Sequence, residues 1–125
     1  MTIKIVLDST AALSYSKGLP HVGETVGELF DEPGTVFAVP VVALAEAGTI
    51  TDDAGLLVLL GHHERGVVTP VVADRWEELM TLSQLLGSVS CAVPYMLATA
   101  HEAYLLTATP DRYPDADRVI DISDN

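Results

Sequence analysis

The sequence predicts one α/β domain, a three-layer α/β/α sandwich in which a parallel sheet lies between helices. Short runs rich in β-branched residues alternate with longer segments of helical periodicity. The first run, Ile3–Leu7, is followed by a polar turn and an alanine-rich segment, as expected of a buried strand that leads into a helix. With 125 residues, of which 49% are hydrophobic and 19% charged, the chain can bury one core. We therefore expect a single domain over residues 1–125.

The first half of the chain predicts two strands and four helices. Ser9 or Thr10 can cap the first helix, and Pro20 lies beyond its end. Gly48 closes the third helix, and the acidic pair 52–53 favours the start of the fourth through the helix dipole. The predicted elements are strand Ile3–Leu7, helix Thr10–Ser16, helix Glu24–Glu32, strand Thr35–Val39, helix Val41–Ala47 and a leucine-rich helix around 56–60.

The second half predicts three strands and two helices. Pro70 is tolerated in a strand only near an edge or an end. Gly87 is a C-terminal signal for the helix before it, and Pro94 suits the first turn of the next helix. Trp76 and Met80 belong to an apolar stripe that predicts either core or a dimer face. The predicted elements are strand Val67–Val72, helix Ala73–Leu86, helix Tyr95–Ala103, strand Tyr104–Thr107, loop Ala108–Asp117 and strand Val119–Ile122.

The charge balance narrows the class of partner. Six lysines and arginines face eighteen aspartates and glutamates, for a formal net charge of −12. Because nucleic-acid affinity comes largely from basic groups that meet phosphates, the chain is predicted to be a poor unaided nucleic-acid binder. A basic protein partner or a metal ion would be electrostatically favoured. The single cysteine, Cys91, and the lack of a leader or a membrane-length apolar run predict a cytoplasmic protein without a disulfide.

Three acids follow predicted elements in a way that can bring them together. Asp8 ends the first strand, Glu46 is the only charge in an apolar helix, and Asp111 lies in the loop after strand Tyr104–Thr107. In open parallel sheets, ligands bind outside the carboxyl ends of the strands, at the point where the strand order reverses. Clustered carboxylates there can hold Mg²⁺ or Mn²⁺, which activates water for phosphodiester hydrolysis. Asp8 could instead serve only to end the strand or cap the helix.

Three segments give the chain a likeness to a known family. They are Ile5–Ala11 (IVLDSTA), Val39–Glu46 (VPVVALAE) and Ala98–Thr107 (ATAHEAYLLT). In this order and with this spacing, the chain resembles the PIN domain family, which includes the VapC-type toxin ribonucleases of bacterial toxin–antitoxin pairs. The resemblance implies a parallel sheet between helices, and a cluster of three or four acids that binds Mg²⁺ or Mn²⁺ for RNA cleavage. It also implies a basic antitoxin-like partner and a homodimer.

The family's acids carry over to this sequence only in part. The resemblance assigns the first two, with catalytic and metal-binding roles, to Asp8 and Glu46. Counting along the family's spacing places the third at Cys91 or Val93, neither of which is an acid. The fourth falls on Thr109, whose hydroxyl remains a possible ligand, and Asp111 is displaced from that position by two residues.

Three functional hypotheses follow. The first is a metal-dependent endoribonuclease with a reduced acidic site. The second is a catalytically silent PIN-like module that acts through a protein partner or by dimerising. The third, a flavodoxin-like or receiver-type domain, shares the strand-end aspartate, although Asp8 lacks the acidic neighbour of a receiver site. No glycine-rich phosphate loop is present, so no nucleotide cofactor is indicated.

Overall fold

The computed structural model describes residues 1–115 and 117–123, which form a five-stranded, wholly parallel sheet with six α-helices. The strands are β1 Thr2–Leu7, β2 Thr35–Pro40, β3 Gly66–Thr69, β4 Tyr104–Thr107 and β5 Val119–Asp121. The helices are α1 Ser9–Ser16, α2 Pro20–Gly27, α3 Val41–Ile50, α4 Ala54–Gly61, α5 Trp76–Leu86 and α6 Val89–His101. Single 3-10 turns cover Glu28–Asp31, Ala73–Arg75 and Pro110–Arg112.

The two faces of the sheet bury separate apolar cores, which confirms the predicted α/β/α sandwich. Ile5 and Leu7 of β1 point into one core together with buried residues of α1 to α4. Val6, between them, points into the other core, where it meets residues of α6. This alternation follows from the two-residue period of a strand, and both faces are apolar because helices cover both.

The strand order β3-β2-β1-β4-β5 sets where a ligand site can form. The chain runs outward from β1 in one direction through β2 and β3, and then returns to β4 on the other side of β1. The reversal therefore lies between β1 and β4, where Leu7 pairs with Leu106. A flavodoxin-like sheet has the order 2-1-3-4-5, so the third hypothesis is wrong.

Several predicted boundaries need correction. Pro20 begins α2 rather than ending a helix, because its fixed φ and missing N–H suit a first helical position. The predicted helix Glu24–Glu32 is accordingly α2 followed by a 3-10 turn. Gly48 lies inside α3, which continues to Ile50. Helix α6 begins at Val89 under a Ser88 cap, so Pro94 is an interior residue. Its missing N–H leaves the Ser90 carbonyl without the usual helical donor.

Strand β3 and helix α5 lie at the margin of the fold. Strand β3 is an edge strand and ends before Pro70, as expected of a residue that cannot donate to a ladder. Helix α5 has no buried residue, and Trp76 remains 59% exposed, so the expectation that its stripe is core is wrong. Gly87 ends α5 with a φ of 80°, which confirms the predicted cap. Of the tail that the sequence predicts over Ser123–Asn125, only Ser123 is among the described residues.

Within the described part of the chain, no single helix has both the length and the apolar composition to cross a membrane, and the one pair that reaches them together is bent by 118° at its junction.

Candidate functional site

Asp8 is the N-cap of α1 and is almost fully buried, with 2% of its surface exposed. It directly follows β1, and its backbone N–H continues the ladder by donating to the Leu106 carbonyl at 3.3 Å. Its Oδ1 accepts from the Ala11 N–H at 3.0 Å and from the Thr10 hydroxyl at 2.6 Å. The expected cap at Ser9 or Thr10 is therefore wrong by one or two residues, because the strand-end carboxylate already satisfies the first turn.

The other oxygen of Asp8 is held by a tyrosine from the distant loop after β4. The Tyr113 hydroxyl donates to Oδ2 at 2.7 Å, and Tyr113 is itself buried. Burial raises the pKa of the Tyr113 phenol well above its usual range, and the Asp8 carboxylate and then Cys91 raise it further. Tyr95 stacks on Tyr113, with 6.2 Å between ring centroids and 13° between planes. The phenol is thus a fixed, protonated donor to Asp8.

A chain of hydroxyls joins Asp8 across the reversal point to the end of β4. Because Thr10 donates its single hydroxyl proton to Asp8, it must accept from Thr107, whose Oγ1 lies 3.2 Å away. Thr107 must in turn accept from Thr109, again at 3.2 Å. The Ala108 N–H also donates to Thr10 Oγ1, at 2.9 Å. Every proton in this chain points toward Asp8, and the crevice between β1 and β4 is bridged by direct bonds.

Glu46 lies on α3, and one of its two carboxylate oxygens accepts a hydrogen bond while the other has no partner among the described residues. Oε2 accepts a short hydrogen bond from the Ser90 hydroxyl in the first turn of α6. Oε1 is buried and has no hydrogen-bond partner among the described residues. A buried acceptor without a donor lowers the stability of the folded state. Among the described residues, Glu46 Oε1 is the one buried side-chain oxygen or nitrogen in this condition.

The first turn of α6 connects the two carboxylates. Ser90 bonds Glu46, and the next residue, Cys91, lies beside the Tyr113 hydroxyl that bonds Asp8. Cys91 is buried, and the Arg112 guanidinium donates to its sulfur at 4.0 Å. Consecutive residues of α6 therefore contact the surroundings of both carboxylates, Ser90 at Glu46 and Cys91 at the tyrosine that bonds Asp8.

The two weaker metal-ligand candidates take different places. Thr109 joins the site through the hydroxyl chain that ends on Asp8. Asp111 lies on the exposed 3-10 turn Pro110–Arg112, and among the described contacts none joins its carboxylate to Asp8 or Glu46. Both remain predictions as metal ligands.

The donor set does not match a carboxylate metal centre. A hard divalent cation needs several free oxygen ligands, and both Asp8 oxygens already accept from protein donors. The third family position falls on Cys91 or Val93; a thiol is a poor partner for Mg²⁺, and a valine side chain offers no ligand atom. No group of three or more histidines, cysteines, aspartates or glutamates able to hold a metal is found in residues 1–115 and 117–123. As arranged, the residues do not fit the Mg²⁺ or Mn²⁺ that the family resemblance implies.

Sequence reasoning missed Tyr113 and Ser90. Tyr113 falls in the predicted loop Ala108–Asp117, where it is the only aromatic residue, and an aromatic residue in such a loop is a signal for docking onto the core. Ser90 precedes the predicted helix Tyr95–Ala103, so the sequence alone assigns it no role. Its hydroxyl matters only because α6 begins earlier than the position of Pro94 suggested.

Comparison of the chain with family models, with curated proteins and with solved structures finds no match. The likeness to PIN domains therefore rests on the three sequence segments and stays a prediction, while the parallel α/β sandwich stands on the structure itself.

Proposed function

We propose that the chain is a PIN-like domain that no longer hydrolyses RNA and acts by binding a basic protein partner. The observation that carries this proposal is the hydrogen bond from the Tyr113 hydroxyl to Asp8 Oδ2. With three donors on one buried carboxylate, Asp8 has the environment of a structural cap rather than that of a group free to receive a ligand.

The positive charges of the chain are already engaged within the fold, which argues against a polyanionic substrate. Five of the six lysines and arginines donate hydrogen bonds to groups of the chain itself. They are Lys4, Arg65, Arg75, Arg112 and Arg118. With eighteen acids around them, the phosphates of an RNA would meet mainly repulsion.

An open apolar groove offers the docking surface. It lies between α5 and the start of α6, has a volume of about 560 Å³, and includes Trp76, Leu79, Met80 and Val89; we call it the α5 groove. Trp76, Met80 and Val89 are 59%, 47% and 56% exposed. Trp and Met are typical anchors of protein interfaces. Pairing with a second copy would bring two charges of −12 together, so charge favours a basic partner.

A second candidate function, weak metal-dependent RNA hydrolysis, is favoured by one observation. Glu46 Oε1 is a buried acceptor without a partner among the described residues, while Oε2 is bonded to Ser90. An oxygen of this kind is available to a ligand in a way that those of Asp8 are not. A single free oxygen, however, gives little of the geometry that in-line attack on a phosphodiester requires.

RNA cleavage in Mg²⁺ and in Mn²⁺ separates the two candidates. The wild type, Asp8→Asn and Glu46→Gln are compared at equal concentration, with EDTA as the metal-free control. Our proposal predicts that the wild type cleaves no faster than either variant. Metal-dependent cleavage by the wild type that both substitutions abolish would establish the second candidate instead.

A further inference from the structure

The mismatch between Asp8 and a metal-binding carboxylate has a specific structural cause. Of the two Asp8 oxygens, Oδ2 is the one that accepts no hydrogen bond from α1, so it is the oxygen left to receive a ligand. In this chain it is bonded at 2.7 Å to a hydroxyl that comes from 105 residues further along the sequence. The nearer oxygen, Oδ1, is held by the first turn of α1 and would be engaged in either case.

We propose that the Tyr113 hydroxyl occupies the ligand position of Asp8 Oδ2, and that removing it uncovers a site for a divalent cation. This inference concerns the site of the proposed function and rests on it. A phenol proton and a divalent cation both stabilise a buried carboxylate, one by a hydrogen bond and the other by coordination. Because Tyr113 supplies the first, the fold needs no metal to bury Asp8.

The position of Tyr113 is fixed by groups other than Asp8, so the block is built into the fold. Its ring stacks on Tyr95, and its backbone N–H donates to the Pro110 carbonyl at 3.1 Å, which closes the 3-10 turn. The ring is 7% exposed and packs in the core that holds Val6 and Cys91. Moving the Tyr113 ring to admit an ion would therefore break its packing contacts, which costs free energy in a close-packed core.

Threonine hydroxyls are the oxygen atoms that the structure joins to Asp8 besides Tyr113. The hydroxyl chain brings Thr10 to Asp8 directly and Thr109 through Thr107. These are hard oxygen donors of the kind that Mg²⁺ and Mn²⁺ prefer.

The test is direct measurement of Mn²⁺ binding, by electron paramagnetic resonance of the free ion, on folded protein without RNA. The variants are Tyr113→Phe, which keeps the ring, and Tyr113→Ala, which also makes room for the ion and its waters. Tyr95→Phe and Tyr95→Ala are the matched controls, since they alter the stacked ring and leave the bond to Asp8 in place. We expect Tyr113→Ala to bind at least about tenfold more tightly than the wild type. Tyr113→Phe should bind less tightly than Tyr113→Ala and still more tightly than Tyr95→Phe.

Adding Asp8→Asn should abolish the gain, which assigns the ion to Asp8. Equal affinity of the wild type and both Tyr113 variants would overturn the inference. Should Tyr113→Ala not fold, Tyr113→Phe decides by the same comparison. Because the readout is metal binding and not cleavage, a negative result leaves the proposed loss of RNA hydrolysis standing, whereas Asp8-dependent cleavage by the wild type would remove both that proposal and this inference.

Discussion

The Ala108 N–H donates to Thr10 Oγ1 at 2.9 Å, and this bond joins the two strands on either side of the reversal point. Thr10 passes its own proton to Asp8, so one hydroxyl serves the end of β4, the start of α1 and the buried carboxylate together. In a sheet of this type the same crevice would otherwise be open to a ligand. The hydrogen bonds of Thr10 therefore hold β4 and α1 together at the place where a ligand would bind.

Thr10→Val should destabilise the protein by about 1–3 kcal/mol, because it leaves the Ala108 N–H without an acceptor and Asp8 Oδ1 with one donor fewer. Thr10→Ser keeps the hydroxyl and loses one methyl group, so its cost should stay near 1 kcal/mol or below. Urea unfolding of both variants beside the wild type measures the difference. Equal losses would show that packing, and not the hydroxyl, is what Thr10 contributes.

Tyr113 should make stability depend on pH in the alkaline range. Its folded pKa is raised, so below the ordinary tyrosine pKa of about 10 its contribution is fully present. Above that pH the unfolded chain releases the phenol proton while the folded chain keeps it, and stability falls with rising pH. The loss should approach about 1.4 kcal/mol per pH unit.

Unfolding free energies of the wild type and Tyr113→Phe between pH 9 and 11, which spans the ordinary tyrosine pKa of about 10, check this prediction. The gap between the two proteins should narrow as pH rises. Tyr95→Phe is the control, since it keeps Tyr113 and the bond to Asp8, so the stability of this variant should fall with rising pH as that of the wild type does. A gap that widens with pH for Tyr113→Phe would contradict a buried, protonated phenol.

Glu46 and Ser90 should be energetically coupled. Ser90→Ala removes the donor to Oε2 and leaves a partly buried carboxylate with neither oxygen bonded, at a cost of about 1–3 kcal/mol. In the Glu46→Gln background the same change should cost less, since no charge is then left unsatisfied. A double-mutant cycle by thermal or urea unfolding should give a coupling of about 1 kcal/mol. Additive effects would mean that the contact between Ser90 and Glu46 contributes nothing to the folded state.

The α5 groove should bind a cationic amphipathic segment, and Trp76 reports on it directly because it is the only tryptophan of the chain. Titration with a short helical peptide of leucine and lysine should shift Trp76 fluorescence to the blue and saturate, and added salt should weaken the effect. A peptide of the same composition in scrambled order should not reproduce it.

Two substitutions locate that binding. Met80→Ser should weaken it, because Met80 lines the groove. Leu85→Ser is the matched control: Leu85 lies on the same helix and is 75% exposed, but it is not among the groove residues. Neither change should shift stability by more than about 0.5 kcal/mol, as both sites are on the surface. Equal binding by both variants, or by the scrambled peptide, would exclude the groove as the docking surface.

The sheet could be predicted from the sequence because its signals are local. The apolar run Ile3–Leu7 and the segment Tyr104–Thr107 are short, bounded by polar or helical residues, and buried on both faces, and the structure has them as β1 and β4 with at most one residue of difference. Prolines were less decisive. Pro20 and Pro94 are equally good signals for the start of a helix. Pro20 does begin α2, whereas Pro94 lies inside α6, because Ser88 caps that helix six residues earlier.

The sequence could predict only those site residues that stand out from their local surroundings. Asp8 and Glu46 are charges next to apolar segments, and such charges stand out. Tyr113 and Ser90 do not, since their roles depend on where a loop folds back and where a helix starts. What closes Asp8 is a contact across 105 residues, and no local pattern contains it.

The central claim is that Asp8 is a helix cap that no cation reaches. It can be tested by NMR on the Ala11 amide, which donates to the Asp8 carboxylate. The Ala11 N–H donates to the buried N-cap Asp8, and the Leu56 N–H donates in the same way to the exposed N-cap Asp53. The resonances of these two amides can be compared in the NMR spectrum of a ¹⁵N-labelled sample. Titration with paramagnetic Mn²⁺ should broaden the Leu56 resonance first, through weak binding to exposed acids, and leave the Ala11 resonance sharp. Selective broadening of Ala11 at lower Mn²⁺ than Leu56 would show that the cation reaches Asp8, and would contradict the account.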